Sequence, residues 1–174
     1  MGRRVGSFSF VISNMQKINL KNLLNNMIEG GIFNRVDLVP RYLAVGEQCG
    51  DNDYGWSLYL KMMWIVTKGG EDPTTHHKVI FSDLIDKARH GGFDTLGHPL
   101  VFKSGGWRMA DGAHRLAAAL YCRHEDIYLI HKSDVKRHHF ITIDWFREKE
   151  FTDEEIELIV RGEKEMLGWA IPTK

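Results

Sequence analysis

Asp111, Gly112, His114 and Arg115 fall within five consecutive positions, between an apolar run and an alanine-rich one. A carboxylate, an imidazole and a permanently charged guanidinium at that spacing can hold an anion, a metal ion or a moving proton. Gly112 can take the positive φ that a sharp strand-to-helix turn requires, and Ala113 to Leu120 is a strong helix-forming run. The first turn of such a helix carries N–H groups without intrahelical partners, and its dipole favours negative charge. The backbone after Gly112, with His114 and Arg115 in the same turn, therefore reads as a phosphate-binding layout. Asp111 adds a carboxylate that can ligate magnesium arriving with nucleotide phosphates, or accept a proton. The competing reading, in which Asp111 only caps the helix and Arg115 faces solvent, leaves the motif without chemistry.

The elements that must position this turn are legible on both sides. Phe81 to Ala88 has apolar residues at helical spacing and Gly91-Gly92 ends the run. His98-Pro99-Leu100-Val101-Phe102 is a buried-strand candidate, Ser104-Gly105-Gly106 a hairpin turn, and Trp107 to Ala110 the returning strand. After the alanine-rich helix, Asp126 to Ile130 is a β-rich run that can close a small sheet.

The run Asp111-Gly112-Ala113-His114-Arg115-Leu116-Ala117-Ala118 resembles the signature of the ParB/sulfiredoxin superfamily, and the likeness extends from about Lys78 to His131. It implies an α+β fold with a small mixed β-sheet flanked by helices, here carrying an N-terminal helical extension and a C-terminal helix. Sulfiredoxins place a cysteine directly before the His-Arg pair, where this chain has Ala113, so sulfinic-acid reduction is not expected. ParB partition proteins carry an Arg-rich form of the motif and a following helix-turn-helix domain, for which this chain has neither the basic surplus nor an obvious segment, so chromosome partition is not expected. The nearest local likeness is to the free-serine kinases of the superfamily, whose signature runs Asp-Gly-His-His-Arg and which phosphorylate a small molecule from a nucleotide.

By that resemblance the chain is expected to be a nucleotide-dependent phosphotransferase acting on a small hydroxyl-bearing molecule such as an amino acid, sugar or polyol. Asp111 and His114 would serve catalysis, with Gly112, Ala113, His114 and Arg115 on the phosphates of ATP or ADP and Mg2+ on Asp111. Sulfiredoxins also hold nucleotide through a lysine and a serine near the start of the first helix, for which Lys78 and Ser82 stand at comparable spacing. The kinases carry an acidic base shortly before that helix, whereas Thr74 to Lys78 holds no carboxylate. Glu71 and Asp72, or Glu47, Asp51 and Asp53 further upstream, leave the base open. Two alternatives stand beside the kinase. One is a ParB-like nucleic-acid-binding protein or nuclease, with Lys132, Lys136, Arg137, His138, His139, Arg147 and Lys149 on phosphates and Phe140 and Trp145 interleaved. The other is a non-catalytic nucleotide-binding partner in a biosynthetic complex.

Upstream, Asn14 is a candidate cap for a helix through about Met27, and Val36 to Leu43 alternates before Pro40 as an extended segment would. Glu47 to Gly55 reads as a polar, glycine-bearing loop. Trp56 to Val66 is apolar on most sides, as a buried or interface helix would be, which leaves a homodimer open. Gly55 to Met62 is similar to a segment preceding ParB-like motifs in proteins of bacterial surface-polysaccharide clusters, and by that likeness Trp56, Tyr59 and Glu47 are candidate walls of a substrate pocket. Gly69 to Pro73 is the expected linker, dividing an extension (residues 1–72) from the core (residues 73–174). Downstream, Thr152-Asp153-Glu154-Glu155 is a capping box opening a helix that buries Ile156, Ile159, Val160, Met166, Leu167 and Trp169.

The whole chain bounds these readings. Its 174 residues can bury one good core, and 23 basic residues balance 23 acidic ones, without the surplus usual in a dedicated duplex binder. Ser7 to Ser13 alternates like a strand and is too short and polar for a signal segment, and no apolar run is long enough for a bilayer, so a cytoplasmic protein is expected. Cys49 and Cys122 read as reduced, structural thiols. Nine histidines fall at spacings unsuited to a transition metal, including the adjacent pairs His76-His77 and His138-His139.

Overall fold

The computed structural model describes residues 15–29, 33–69, 76–135 and 141–169. The chain enters as strand β1 (Met15–Asn19) and turns directly into helix α1 (Leu20–Met27). Asn19 caps that helix, its side chain accepting from the amides of Lys21 and Asn22 at 3.1 and 3.4 Å. The expected cap, Asn14, lies outside the described residues, and the helix starts later than its sequence suggests. The polar pattern of Met15 to Asn19 instead suits an edge strand, one face of which meets solvent.

Helix α2 (Leu38–Cys49) overturns the extended reading of Val36 to Leu43. Pro40 is the third helical residue, where the backbone N–H it lacks would have had no intrahelical acceptor. The helix also absorbs Glu47, Gln48 and Cys49, which leaves a shorter loop than expected. From Leu38 to Gly46 every residue of α2 is buried, and the helix packs against α3 (Gly55–Val66), α5 (Ala113–Tyr121) and α7 (Asp153–Gly168). The contact with α3 is a backbone one. A β-carbon at Gly55 would collide with the carbonyl of Leu43, so only glycine lets α3 start where it does. Helix α3 buries Trp56, Leu58, Tyr59, Met62 and Met63, as its apolar composition predicts, but leaves Trp64 exposed.

Helix α4 (His76–His90) precedes the hairpin of β2 (Leu100–Lys103) and β3 (Met109–Asp111), and α5 leads into β4 (Asp126–Lys132). The four strands form one mixed sheet in the order β1-β4-β2-β3. Strand β4 does not close the sheet, as its sequence position suggests, but lies inside it. It runs antiparallel to β1 (Met15 opposite Ile130) and parallel to β2 (Leu100 opposite Leu129). Its buried Ile127 and Leu129 face the core together with Leu100 and Phe102 of β2. The short helix α6 (Ile143–Arg147) and α7 complete the fold, which is α+β with seven helices among the described residues.

The predicted capping box of α7 is formed. Thr152 Oγ1 accepts from the Glu155 amide at 3.2 Å, and Glu155 Oε2 accepts from the Thr152 amide at 2.8 Å. Lys61 reaches the same carboxylate at 2.6 Å and ties α3 to the start of α7. The helix buries Ile159, Gly162 and Met166 against the core, while Val160 is only half-buried. Among the described residues no helix is long and apolar enough to cross a membrane.

A second feature was invisible in the sequence. Asp37, just before α2, is clasped by two arginines in the interior. Arg35 donates through Nε and Nη2 to its two carboxylate oxygens at 2.7 and 2.8 Å, and Arg41 donates to Oδ2 at 3.1 Å. Arg35 also donates to the carbonyl of Met109 at 3.0 Å, which fastens the start of α2 to strand β3. Burial pushes the Asp37 carboxyl up, but the Arg35 hydrogen bonds and the two guanidinium charges outweigh it and hold the group below its usual range.

Candidate functional site

Strand β3 ends at Asp111 and α5 begins at Ala113, so the whole change of direction falls on Gly112, at φ +100°. Glycine is required there twice over: positive φ disfavours any β-carbon, and one would lie 2.5 Å from the side chain of Leu100. The Gly112 amide donates to Asp111 Oδ1 at 2.7 Å, and the Gly112 carbonyl accepts the first intrahelical bond from Leu116 at 2.8 Å. The amides of Ala113, His114 and Arg115 precede that bond, and among the described residues no side chain caps them.

Arg115 lies one turn beyond Asp111 and meets its Oδ2 at 3.2 Å. Its other terminal nitrogen donates to the carbonyls of His98 and, at 3.2 Å, Pro99. The guanidinium thus anchors the loop that leads into β2, while the Asp111 carboxylate stands largely in solvent. His114 turns the other way. Its Nε2 lies 2.8 Å from the hydroxyl of Tyr59, and its ring packs edge-on against Phe81 with centroids 4.7 Å apart. Burial, and then the nearby Arg41 charge, drives the imidazole well below its usual pKa, so it is neutral at physiological pH.

These groups open onto a cavity of about 600 Å³, a size suited to a small-molecule ligand. Asp111, Gly112, His114 and Arg115 form one wall and Tyr59 part of the floor. The opposite wall comes from α4 and the loop after it. Ile80, Phe81, Leu84 and Phe93 supply apolar surface, and Asp83, Lys87, Asp94 and His98 supply polar groups. Asp83 and Lys87 are paired at 2.5 Å, and Asp94 accepts from the Gly97 amide at 2.7 Å. None of Asp83, Lys87 and Asp94 was singled out from sequence. The one available signal was that Ile80, Asp83, Leu84 and Lys87 share a helical face, the face α4 turns to the glycine turn.

Other expected site residues are placed elsewhere. Glu47 accepts from the Trp56 amide at 2.7 Å and so caps α3. Trp56 is core, edge-on to Tyr59 and Phe81. Lys78 lies over the Trp56 ring at 5.3 Å, and the Ser82 carbonyl accepts from Gln48 at 3.0 Å. These four fasten α2, α3 and α4 to one another rather than lining the cavity, because the face of α4 that carries Lys78 and Ser82 turns toward α2 and α3. Ala113 sits in the first turn of α5, half-buried.

Of the cations considered for nucleic acid, Lys136 to His139 lie with Phe140 outside the described residues. Lys132 and Lys149 are exposed and Arg147 is paired with Asp144 at 2.7 Å, and none of the three lines the cavity. Trp145 packs edge-on against Phe146. Cys49 and Cys122 are free and half-buried, and burial pushes both thiols up, away from reactive thiolate. His76 and His77 lie at the start of α4, and among the described residues no three metal-ligating side chains converge. Compared with protein-family models, with curated proteins and with solved structures, the chain matches none.

Proposed function

We propose that this chain binds the phosphates of a nucleotide at the first turn of α5 and transfers a phosphoryl group to a small hydroxyl-bearing acceptor, on a core of the ParB/sulfiredoxin type. The observation that carries this reading is the convergence of uncapped helix amides, Arg115 and Asp111 on one wall of a ligand-sized cavity. The lining holds three carboxylates, Asp83, Asp94 and Asp111, against two fixed cations, Lys87 and Arg115. Such a wall disfavours a bare polyphosphate and favours one that enters with a divalent cation. The Asp111 carboxylate, with its side chain 71% exposed, is the oxygen ligand open to that ion. Magnesium bound there would neutralise charge on the phosphates.

The protein's part is positioning and electrostatics, which carry most phosphoryl transfers. The amides of α5 and Arg115 hold the phosphate oxygens, and the apolar side of the cavity excludes water. The acceptor hydroxyl loses its proton to a cavity carboxylate as its oxygen bonds to the terminal phosphorus. The bridging P–O bond breaks and its electron pair leaves with the nucleotide. Asp83 and Asp94, both in the cavity lining, are the carboxylates this reading offers as the base.

The test is thermal unfolding of the wild type and Arg115→Ala with ATP, ADP, CTP and GTP in magnesium, each shift read against the same protein without ligand. A ligand binding only the folded state raises the midpoint, by about 2.7 kcal/mol of stability at a hundred times Kd. A shift in the wild type that Arg115→Ala abolishes is expected. No shift with any nucleotide overturns the reading.

A further inference from the structure

His114 occupies the second position of α5, beside the uncapped amides, yet it cannot act there as a cation. Its ring is wedged between Tyr59 and Phe81, with centroid distances of 5.6 and 4.7 Å. The charged groups that face it are Arg41 from α2, His77 from α4 and Arg115 from its own helix, with Asp37 the one acid opposing them among those described. The Arg41 guanidinium lies 5.9 Å from the Tyr59 ring centroid, and its buried Nε has no hydrogen-bond partner among the described residues. A second positive charge beside an already under-compensated guanidinium is disfavoured.

Tyr59 is itself completely buried, and a buried phenol must place its proton. Among the described residues its hydroxyl has one hydrogen-bond partner, His114 Nε2, at 2.8 Å. Burial pushes the Tyr59 hydroxyl up to about 12, so it keeps its proton at physiological pH and donates it. Nε2 then accepts. A neutral imidazole whose Nε2 accepts carries its hydrogen on Nδ1. Nδ1 has no hydrogen-bond partner among the described residues, and His114 lines the cavity.

We propose that Tyr59 is a positioning residue: by donating to His114 Nε2 it locks the imidazole as the Nδ1–H tautomer, a neutral hydrogen-bond donor for an oxyanion held at the first turn of α5. This rests on the reading of that turn as a phosphate subsite. The geometry gives His114 a task different from that of the guanidinium next to it. Arg115 supplies charge, whereas His114 supplies one directed N–H that does not depend on pH across the physiological range and is aligned before the ligand arrives.

The experiment is nitrogen-15 NMR of the histidine rings in the full chain, wild type and Tyr59→Phe, from pH 8 to 5.5, with and without magnesium and ADP. The wild type is expected to show His114 as a single Nδ1–H tautomer that stays neutral throughout and whose Nδ1–H resonance moves on adding Mg–ADP. Tyr59→Phe is expected to populate both tautomers and to weaken Mg–ADP binding about tenfold, the effect of roughly one hydrogen bond to a charged group. His114→Asn, whose amide can place an N–H near the Nδ1 position, should retain binding that His114→Leu loses. An Nε2–H tautomer in the wild type, or an unchanged tautomer and affinity in Tyr59→Phe, overturns the role of Tyr59 while leaving the phosphate subsite intact. A locked Nδ1–H tautomer in a wild type that binds no nucleotide overturns the donor role through the subsite. Should Tyr59→Phe fail to fold, the wild-type tautomer and the two His114 variants decide.

Discussion

Two arginine–aspartate pairings meet strand β3, one through the Met109 carbonyl and one at its last residue, Asp111, and they solve opposite problems. In the interior, the Asp37 and Arg41 side chains are 8% and 9% exposed, and Arg35 completes the clasp at 13%. At the cavity mouth, Arg115 is 18% exposed but its partner Asp111 is 71% exposed. Both carboxylate oxygens of Asp37 are taken by the two guanidiniums, so the interior carboxylate has no capacity left for a ligand. The pair at the mouth is loose by comparison. Its carboxylate remains open to a cation, and the three helix amides beside it are uncapped. The same two residue types make a closed structural lock in one place and an open, cavity-lining pair in the other, and burial of the aspartate decides which.

That contrast breaks most visibly at Asp37. Asp37→Asn leaves two buried guanidiniums without a counter-charge and is expected to cost about 3–5 kcal/mol, measured as a fall in the urea midpoint. The wild type should also lose this contribution in acid. Because the folded carboxyl is held below its usual range, the stabilisation is complete above the unfolded pKa of about 4 and fades as pH falls toward the folded value. Asp37→Asn should remove that acid dependence, and an unchanged profile would show that the clasp is not the source.

Next in size is Gly112→Ala, which forces a β-carbon into positive φ against Leu100. A loss of about 1–3 kcal/mol is expected in thermal unfolding, together with weaker nucleotide binding because the first turn of α5 is displaced. The smallest effect on stability belongs to Asp111→Asn. A largely exposed pair contributes about 0–1 kcal/mol, so the unfolding midpoint should barely move while turnover falls more than nucleotide affinity. If Asp111→Asn destabilised the chain as much as Asp37→Asn, the proposed difference between the two pairs would collapse.

The turn at Gly112, helices α4, α5 and α7 and the β2–β3 hairpin were all legible, because each is signalled by residues close together in the chain. Pro40 misled, since a proline inside an alternating run looks the same whether it interrupts a strand or sits harmlessly in a helix's first turn. Asn14 misled for a similar reason: two asparagines preceded the same apolar stripe, and the pairing of Met15 to Asn19 with distant Asp126 to Ile130 selected the second. The candidate site was half legible. Asp111 to Arg115 are consecutive, but Asp83 and Lys87 join them through the packing of α4 on α5, and Asp94 through the loop whose end Arg115 holds at the His98 and Pro99 carbonyls. The sequence marks Tyr59 as an aromatic wall, and it is the hydroxyl, rather than the ring face, that meets His114.

The backbone contact between Gly55 and Leu43 bears on how this cavity could be altered. Helix α2 carries Arg41 and helix α3 carries Tyr59, and the absence of a single methyl group sets their separation at the point where α3 begins. Even alanine at position 55 would act as a wedge, prising the two helices apart four residues ahead of the phenol that holds His114. The floor of the cavity is therefore gauged from outside it, and attempts to reshape the cavity would do better to vary Ile80, which lines it and is 56% exposed.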